Sequence, residues 1–266
     1  MIFQLKAIKL HISKLFWSSV QEKPKINHFQ KIIRENEWES IKKYIIPNSS
    51  FLDVGCGSGH NLNMAKEEFN CKVVGIDPAP GKHGVGRNKI QHFSKLKVIE
   101  GNCEDLPFES NSFDVVFCSH VLEHVKDEHQ SLIELRRVLK PNGTLIIGMP
   151  TAFMALQRYF LEILFESHIK LLFLFKSIFK KDFFSRFLVV FIPRSHSYPR
   201  AKTIFYDLIH YRTKSWRKII KSVFYCKNEI ATLLYPFPQY PQLYKIRKSK
   251  IISSSVFFVC SKTSNQ

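Results

Sequence analysis

The run Asp53-Val54-Gly55-Cys56-Gly57-Ser58-Gly59 sets three glycines at alternate positions, two residues after an acid. Glycines at that density let a backbone turn tightly and approach a ligand closely, and a helix beginning beyond them offers free N–H groups to an anion. Such a loop suits a cofactor built on adenosine. The dinucleotide form of the loop, G-x-G-x-x-G, needs its third glycine where this chain has His60, and Gly59 comes one residue early. A pyrophosphate would also be repelled by Asp53, whereas an ammonium would be attracted. A second acid, Asp77, ends the next apolar run and can accept hydrogen bonds from both hydroxyls of a ribose.

The elements that must position these residues alternate. Short apolar runs at 50–54, 72–76, 96–100, 112–119 and 144–149 read as strands, the fourth nearly continuous in Phe113, Val115, Val116 and Phe117 as a strand buried on both faces should be. Helical patterns fall at 61–69 and 127–139, the latter stopped by Pro141-Asn142-Gly143. This rhythm predicts an α/β fold with a parallel sheet covered by helices on both faces. Before it, residues 1–20 read as an amphipathic helix and 26–45 as a second one. A Gly/Pro-rich loop, with a short helix after it, is expected from residue 80. After the fifth strand, residues 151–195 hold ten Phe among scattered Lys and Arg and read as one to three amphipathic helices. A further helix is expected over 212–225 and two closing strands over 229–234 and 255–260.

Several segments together, FLDVGCGSGH (51–60), VVGIDP (73–78), EGNCEDLPF (100–108), SFDVVFCSHVLEHV (112–125) and LRRVLKPNGTLIIGMP (135–150), make the chain resemble class I S-adenosyl-methionine-dependent methyltransferases of the small-molecule type. The resemblance is strong over 40–150 and loose elsewhere. It implies a Rossmann-like, doubly wound, mostly parallel seven-stranded sheet with a helical insertion after the fifth strand. The expected organisation is an N-terminal helical arm (1–47), a cofactor-binding core (48–150), a basic and aromatic insertion capping the substrate (151–211), and a closing helix with the last strands (212–266). It further implies S-adenosyl-methionine as cofactor, with Gly55, Cys56, Gly57 and Gly59 lining the methionine part and Asp53 near its amino group. Asp77 and Pro78 would hold the ribose, Asn102 and Cys103 would edge the adenine, and Ser119 and His120 would lie under the sulfonium. Many relatives carry Asp at the Asn102 position; Asn keeps an acceptor oxygen for the adenine amino group.

Methyl transfer to oxygen needs a base. His124 and His120 are candidates because they follow the fourth strand, at whose C-terminal end open α/β sheets place ligands. In Leu122-Glu123-His124-Val125 the histidine can equally be a packed structural residue. His196 and His210, from the insertion, are lesser candidates. The acceptor is expected to be a small or lipid- or phosphate-linked molecule, as in cell-surface glycan or glycolipid synthesis. Alternatives are a quinone-type acceptor, RNA, an NAD-dependent reductase, or a cofactor-binding protein without catalysis.

The net charge of +18 is unevenly spread. Residues 1–50 hold nine Lys/Arg against four acids, 51–150 eleven against thirteen, and 151–266 twenty against five, or +5, −2 and +15. Such a tail attracts phosphates and anionic lipid headgroups, or is simply a solvated surface. Nucleic acid is not expected, because no aromatic–basic recognition module is visible. Peripheral contact with an anionic membrane is a secondary expectation. Six cysteines, none in a C-x-x-C pair and none beside a His cluster at ligand spacing, point to reduced buried thiols and to no metal. No apolar run is long enough to span a bilayer, and Lys6, Lys9 and Lys14 interrupt what would be a signal peptide. A cytoplasmic protein is expected, with the inner membrane face as its surface of peripheral contact.

Overall fold

A computed structural model describes residues 23–82, 96–157, 159–160, 195–197, 203–232 and 253–262. The helix expected over 1–20, the segment expected as a short helix after the Gly/Pro-rich loop and most of the aromatic insertion lie outside the described residues.

The helices are α1 (Lys23–Ile41), α2 (His60–Phe69), α3 (Glu128–Val138), α4 (Ile204–His210) and α5 (Thr213–Lys221), with a 3-10 turn at Lys42–Tyr44 after α1. The strands are β1 (Ser50–Val54), β2 (Lys72–Asp77), β3 (Lys97–Glu100), β4 (Phe113–Ser119), β5 (Leu139–Pro150), β6 (Tyr225–Thr232) and β7 (Ser255–Ser261). They form one sheet in the order β3-β2-β1-β4-β5-β7-β6. All neighbours are parallel except β7, which runs antiparallel to both β5 and β6. This is the doubly wound, seven-stranded arrangement expected.

Alternate residues of the central strands serve two cores. Leu52, Val54, Val116, Cys118 and Ile147 meet Leu132 and Leu135 of α3 and Trp216 and Ile220 of α5. Phe51, Val115, Phe117 and Ile146 meet Trp38 and Ile41 of α1 and Leu62 of α2. With both faces covered, no central strand has a polar side, which is why their sequences read as continuous apolar runs. Trp38 ties α1 to the sheet through edge contacts with Phe51 and Phe117 at ring-centroid distances of 6.4 and 6.5 Å.

Element ends follow local chemistry. Asn70 closes α2 in the left-handed conformation (φ 53°). Asp127 caps α3, its carboxylate accepting from the Gln130 amide at 2.9 Å. β5 differs from expectation: it starts at Leu139, not 144. Leu139 pairs with Phe113, and pairing then jumps to Thr144 opposite Val115. Pro141-Asn142-Gly143 therefore bulges from the ladder instead of forming a separate turn.

Candidate functional site

The loops after β1 and β4 leave the sheet where strand order reverses, the place where doubly wound sheets open a crevice. A cavity of about 460 Å³ occupies it. Gly55, Cys56, Gly57, Ser58, His60 and Asn61 line it on the β1 side, Ser119, His120, Val121 and His124 on the β4 side, and Asp77, Pro78 and Arg34 of α1 complete the lining. Asp53 lies behind the loop. Asn102 and Cys103 follow β3 along the same sheet edge but do not line this cavity; Asn102 is exposed and Cys103 is buried.

The loop conformation explains its composition. Gly55, Gly57 and Gly59 have φ of 73°, 52° and 75°. A Cβ on Gly55 would stand 2.2 Å from Val121 Cγ2. The amides of Gly55 and Cys56 both donate to the Ile76 carbonyl, at 2.7 and 3.1 Å, so the turn is stitched to the end of β2. Asp77 completes the stitch: its Oδ2 accepts from the Gly57 amide at 2.9 Å and its Oδ1 from the Ala79 amide at 2.8 Å. Each oxygen keeps a second lone pair for a hydroxyl.

Two buried polar atoms at this loop accept or donate nothing among the described residues. Asp53 is 1% exposed and its Oδ2 receives no hydrogen bond. Burial first, and the nearby Asp77 carboxylate second, push its pKa well above the usual carboxylate range, with Arg34 offsetting only part. His60 Nε2, at the start of α2, is likewise unpartnered, and burial lowers its pKa below the usual imidazole value. The Cys56 thiol is pushed up by burial and by Asp53 and Asp77, so it is no nucleophile. A buried unpartnered carboxylate, a left-handed glycine cradle closed to a Cβ at Gly55, and a strand-end acid facing the cavity fit a cofactor with an ammonium and a ribose.

The opposite wall is a chain of buried charges. Arg34 donates to Glu37 Oε2 at 2.6 Å; Glu37 Oε1 lies 3.3 Å from His120 Nε2; His120 Nδ1 lies 3.4 Å from Glu123 Oε1. Ser255 of β7 adds a contact to His120 Nε2 at 3.1 Å. Burial opposes charge on His120, but Glu123 and Glu37 outweigh it and raise its pKa to about 9. Burial likewise opposes ionisation of Glu37, yet Arg34 and His120 bring it down to about 2. His120 is thus an imidazolium at neutral pH, held in the left-handed conformation (φ 56°).

His124 is different. Its side chain is 45% exposed, it lines the cavity, and its ring centroid lies 5.2 Å from that of His196. His210 instead stacks on Tyr206 at 3.8 Å and lies away from the cavity lining. Arg34 and Glu37 were not anticipated. Their signal is in the sequence: counted along a helix, Arg34, Trp38 and Ile41 share a face, and Glu37 sits beside Ile41 on it, so two charges interrupt an apolar stripe.

A family model described as a methyltransferase domain matches residues 52–147, from β1 into β5. The demethylmenaquinone methyltransferase of Staphylococcus carnosus is 30% identical over 145 residues, covering 52% of this chain and 59% of that protein. A sterol 4-C-methyltransferase of Caenorhabditis elegans is 30% identical over 103 residues, covering 38% of this chain and 30% of that protein. The chain thus spans only part of these curated relatives. Among solved structures, a possible histamine N-methyltransferase of Thermotoga maritima superposes with a TM-score of 0.56 at 18% identity, over 93% of this chain and 98% of that one. Fold and loop agree with that match: residues 52–147 resemble a methyltransferase domain. The sheet has the fold of class I methyltransferases, enzymes whose cofactor is S-adenosyl-methionine.

Proposed function

We propose that the protein transfers the methyl group of S-adenosyl-methionine to a small acceptor, lipid- or phosphate-linked, of the kind used in cell-surface glycan or glycolipid synthesis. The observation that carries the methyltransferase reading is the cavity between the Asp53–Gly59 loop and the His120–His124 segment, with Asp53 Oδ2 buried and unpartnered behind it. Asp53 would hold the ammonium of the cofactor and Asp77 its ribose. Arg34 and the amides opening α2 would receive its carboxylate. The bound sulfonium supplies an electrophilic methyl group with a neutral thioether as leaving group. The protein's part is to align the acceptor in line with that methyl and to exclude water. His120, as an imidazolium, positions the loop. His124, on the cavity wall and partly exposed, is the side chain that handles the acceptor.

The acceptor class is supported by the basic character of 151–266 and its Phe-rich insertion, which suit an amphiphilic molecule with an anionic end. A quinone-type acceptor is the second reading, favoured by the likeness to a demethylmenaquinone methyltransferase. We place the protein in the cytoplasm, with peripheral contact at the inner membrane face; no helix among the described residues is long and apolar enough to cross a membrane.

Calorimetry with S-adenosyl-homocysteine and with NADH separates the cofactor classes: binding of the first alone is expected, and binding of the second alone overturns the reading. Transfer of radiolabelled methyl into separated lipid-linked glycan, quinone and RNA fractions then identifies the acceptor. Label in quinone alone selects the second reading, and label confined to RNA refutes both. His124→Ala is expected to lower kcat by about 100-fold or more while S-adenosyl-homocysteine affinity holds.

A further inference from the structure

We infer that Glu123, His124 and His196 form a binding site for a divalent transition-metal cation on the acceptor side of the cavity. One carboxylate oxygen and one nitrogen from each imidazole lie within 4.8 Å of one another, and Glu123 Oε1 stands 3.9 Å from His124 Nε2. Ligands about 2.1 Å from a shared ion in a tetrahedral array stand about 3.4 Å apart, so Glu123 and His124 need to close by about 0.5 Å and the widest pair by up to about 1.4 Å. The exposed ring of His124 has room to turn that far.

A second observation points to a cation. Glu123 is fully buried; the His120 ring answers its Oε1, and its Oε2 receives no hydrogen bond from the described residues. Its near neighbours are His120 Nδ1 at 3.4 Å and His124 Nε2 at 3.9 Å. A buried carboxylate oxygen with unused lone pairs is costly to maintain, and His120 answers only the other one.

The segment bearing His196 is built to stay in place. Asp207 of α4, 1% exposed, accepts from the His196 amide at 2.7 Å and from the Ser195 hydroxyl. Ser197, also buried, bonds the Tyr211 hydroxyl. Three consecutive residues in a loop thus spend backbone and hydroxyl groups on fixing the backbone that sets one imidazole beside another. Because 123–124 and 196 are far apart in sequence, no ligand spacing betrays the site, which runs against the metal-free expectation drawn from sequence.

Two imidazoles and a carboxylate, with no thiolate, suit Zn2+, Co2+, Mn2+ or Fe2+, and three protein ligands leave a coordination position open. His124 turns that position toward the cavity. A bound dication adds positive charge to this wall. It then favours an acceptor that offers an anionic oxygen. The cation's use in methyl transfer rests on the function proposed above; its binding does not. It would make His124 a ligand, and the acceptor oxygen, rather than an imidazole, would bind at the metal.

The test uses the full chain, stripped with a chelator and titrated with Co2+. Visible d–d absorption saturating at a single equivalent, and bleached by Zn2+, is expected. His196→Ala should weaken Co2+ binding by about 100-fold or more, with S-adenosyl-homocysteine affinity and the thermal melt unchanged. Asp207→Asn should weaken it by about tenfold, and the control His129→Ala should not. Absence of a stoichiometric Co2+ spectrum, or one that survives His196→Ala, overturns the site. Failure of S-adenosyl-homocysteine to bind, with Co2+ bound normally, instead overturns the cofactor reading and leaves the metal site standing.

Discussion

At the scale of single residues, Gly55 and His120 carry the clearest consequences. Gly55 is both left-handed and pressed against Val121. Gly55→Ala is expected to cost about 1–2 kcal/mol from the backbone alone and more from the clash, and to abolish measurable S-adenosyl-homocysteine binding in calorimetry. Retained affinity would mean that the loop does not touch the cofactor. His120 makes stability depend on pH. Its folded pKa of about 9 lies above the usual 6.5, so the folded state binds the proton more tightly. That contribution, roughly 3 kcal/mol from the size of the shift, is fully present below pH 6.5 and lost as pH rises through 9. The melting temperature should fall across that window. In Glu37→Gln, which removes one of the two carboxylates, the fall should be shallower. An equal slope in both proteins would show that the pair is not coupled.

At the scale of elements, α3 supports the loop that follows β3. Arg137 donates to the carbonyls of Phe108 and Leu106 at 2.6 and 2.8 Å, and Glu134 accepts from the Leu106 amide at 2.9 Å. Arg137→Ala should therefore weaken S-adenosyl-homocysteine binding without removing any group that lines the cavity, by about tenfold if the loop edges the adenine; unchanged affinity separates that loop from the cofactor. The elements were largely legible because buried parallel strands and the helices between them leave period and punctuation in the sequence. β1, β2 and β4 show this. The start of β5 was misread because Pro141-Asn142-Gly143, ordinarily a turn, here bulges from a strand already begun at Leu139. Half of the site was legible for the same reason: the glycine loop and Asp77 obey a local spacing. Arg34, Glu37 and the approach of His196 to His124 depend on tertiary packing, and no local pattern encodes which helix will face which loop.

At the scale of the whole molecule, charge and strand order matter most. A net charge of +18, most of it beyond residue 150, is expected to draw the protein onto vesicles containing anionic lipid at low salt and to release it as salt rises. Flotation against neutral vesicles reads this directly, and binding that ignores salt would count against an electrostatic cause. Strand order has a kinetic effect. β7 follows β6 in the chain yet inserts between β5 and β6, and it carries Ser255 to His120. The parallel strands can associate first through nearer neighbours, but the apolar edge Leu145–Pro150 of β5 then stays open until β7 arrives. A slow folding step and a transient sticky edge follow from the same threading. The rate at which His120 gains its Ser255 contact would report when that edge is sealed.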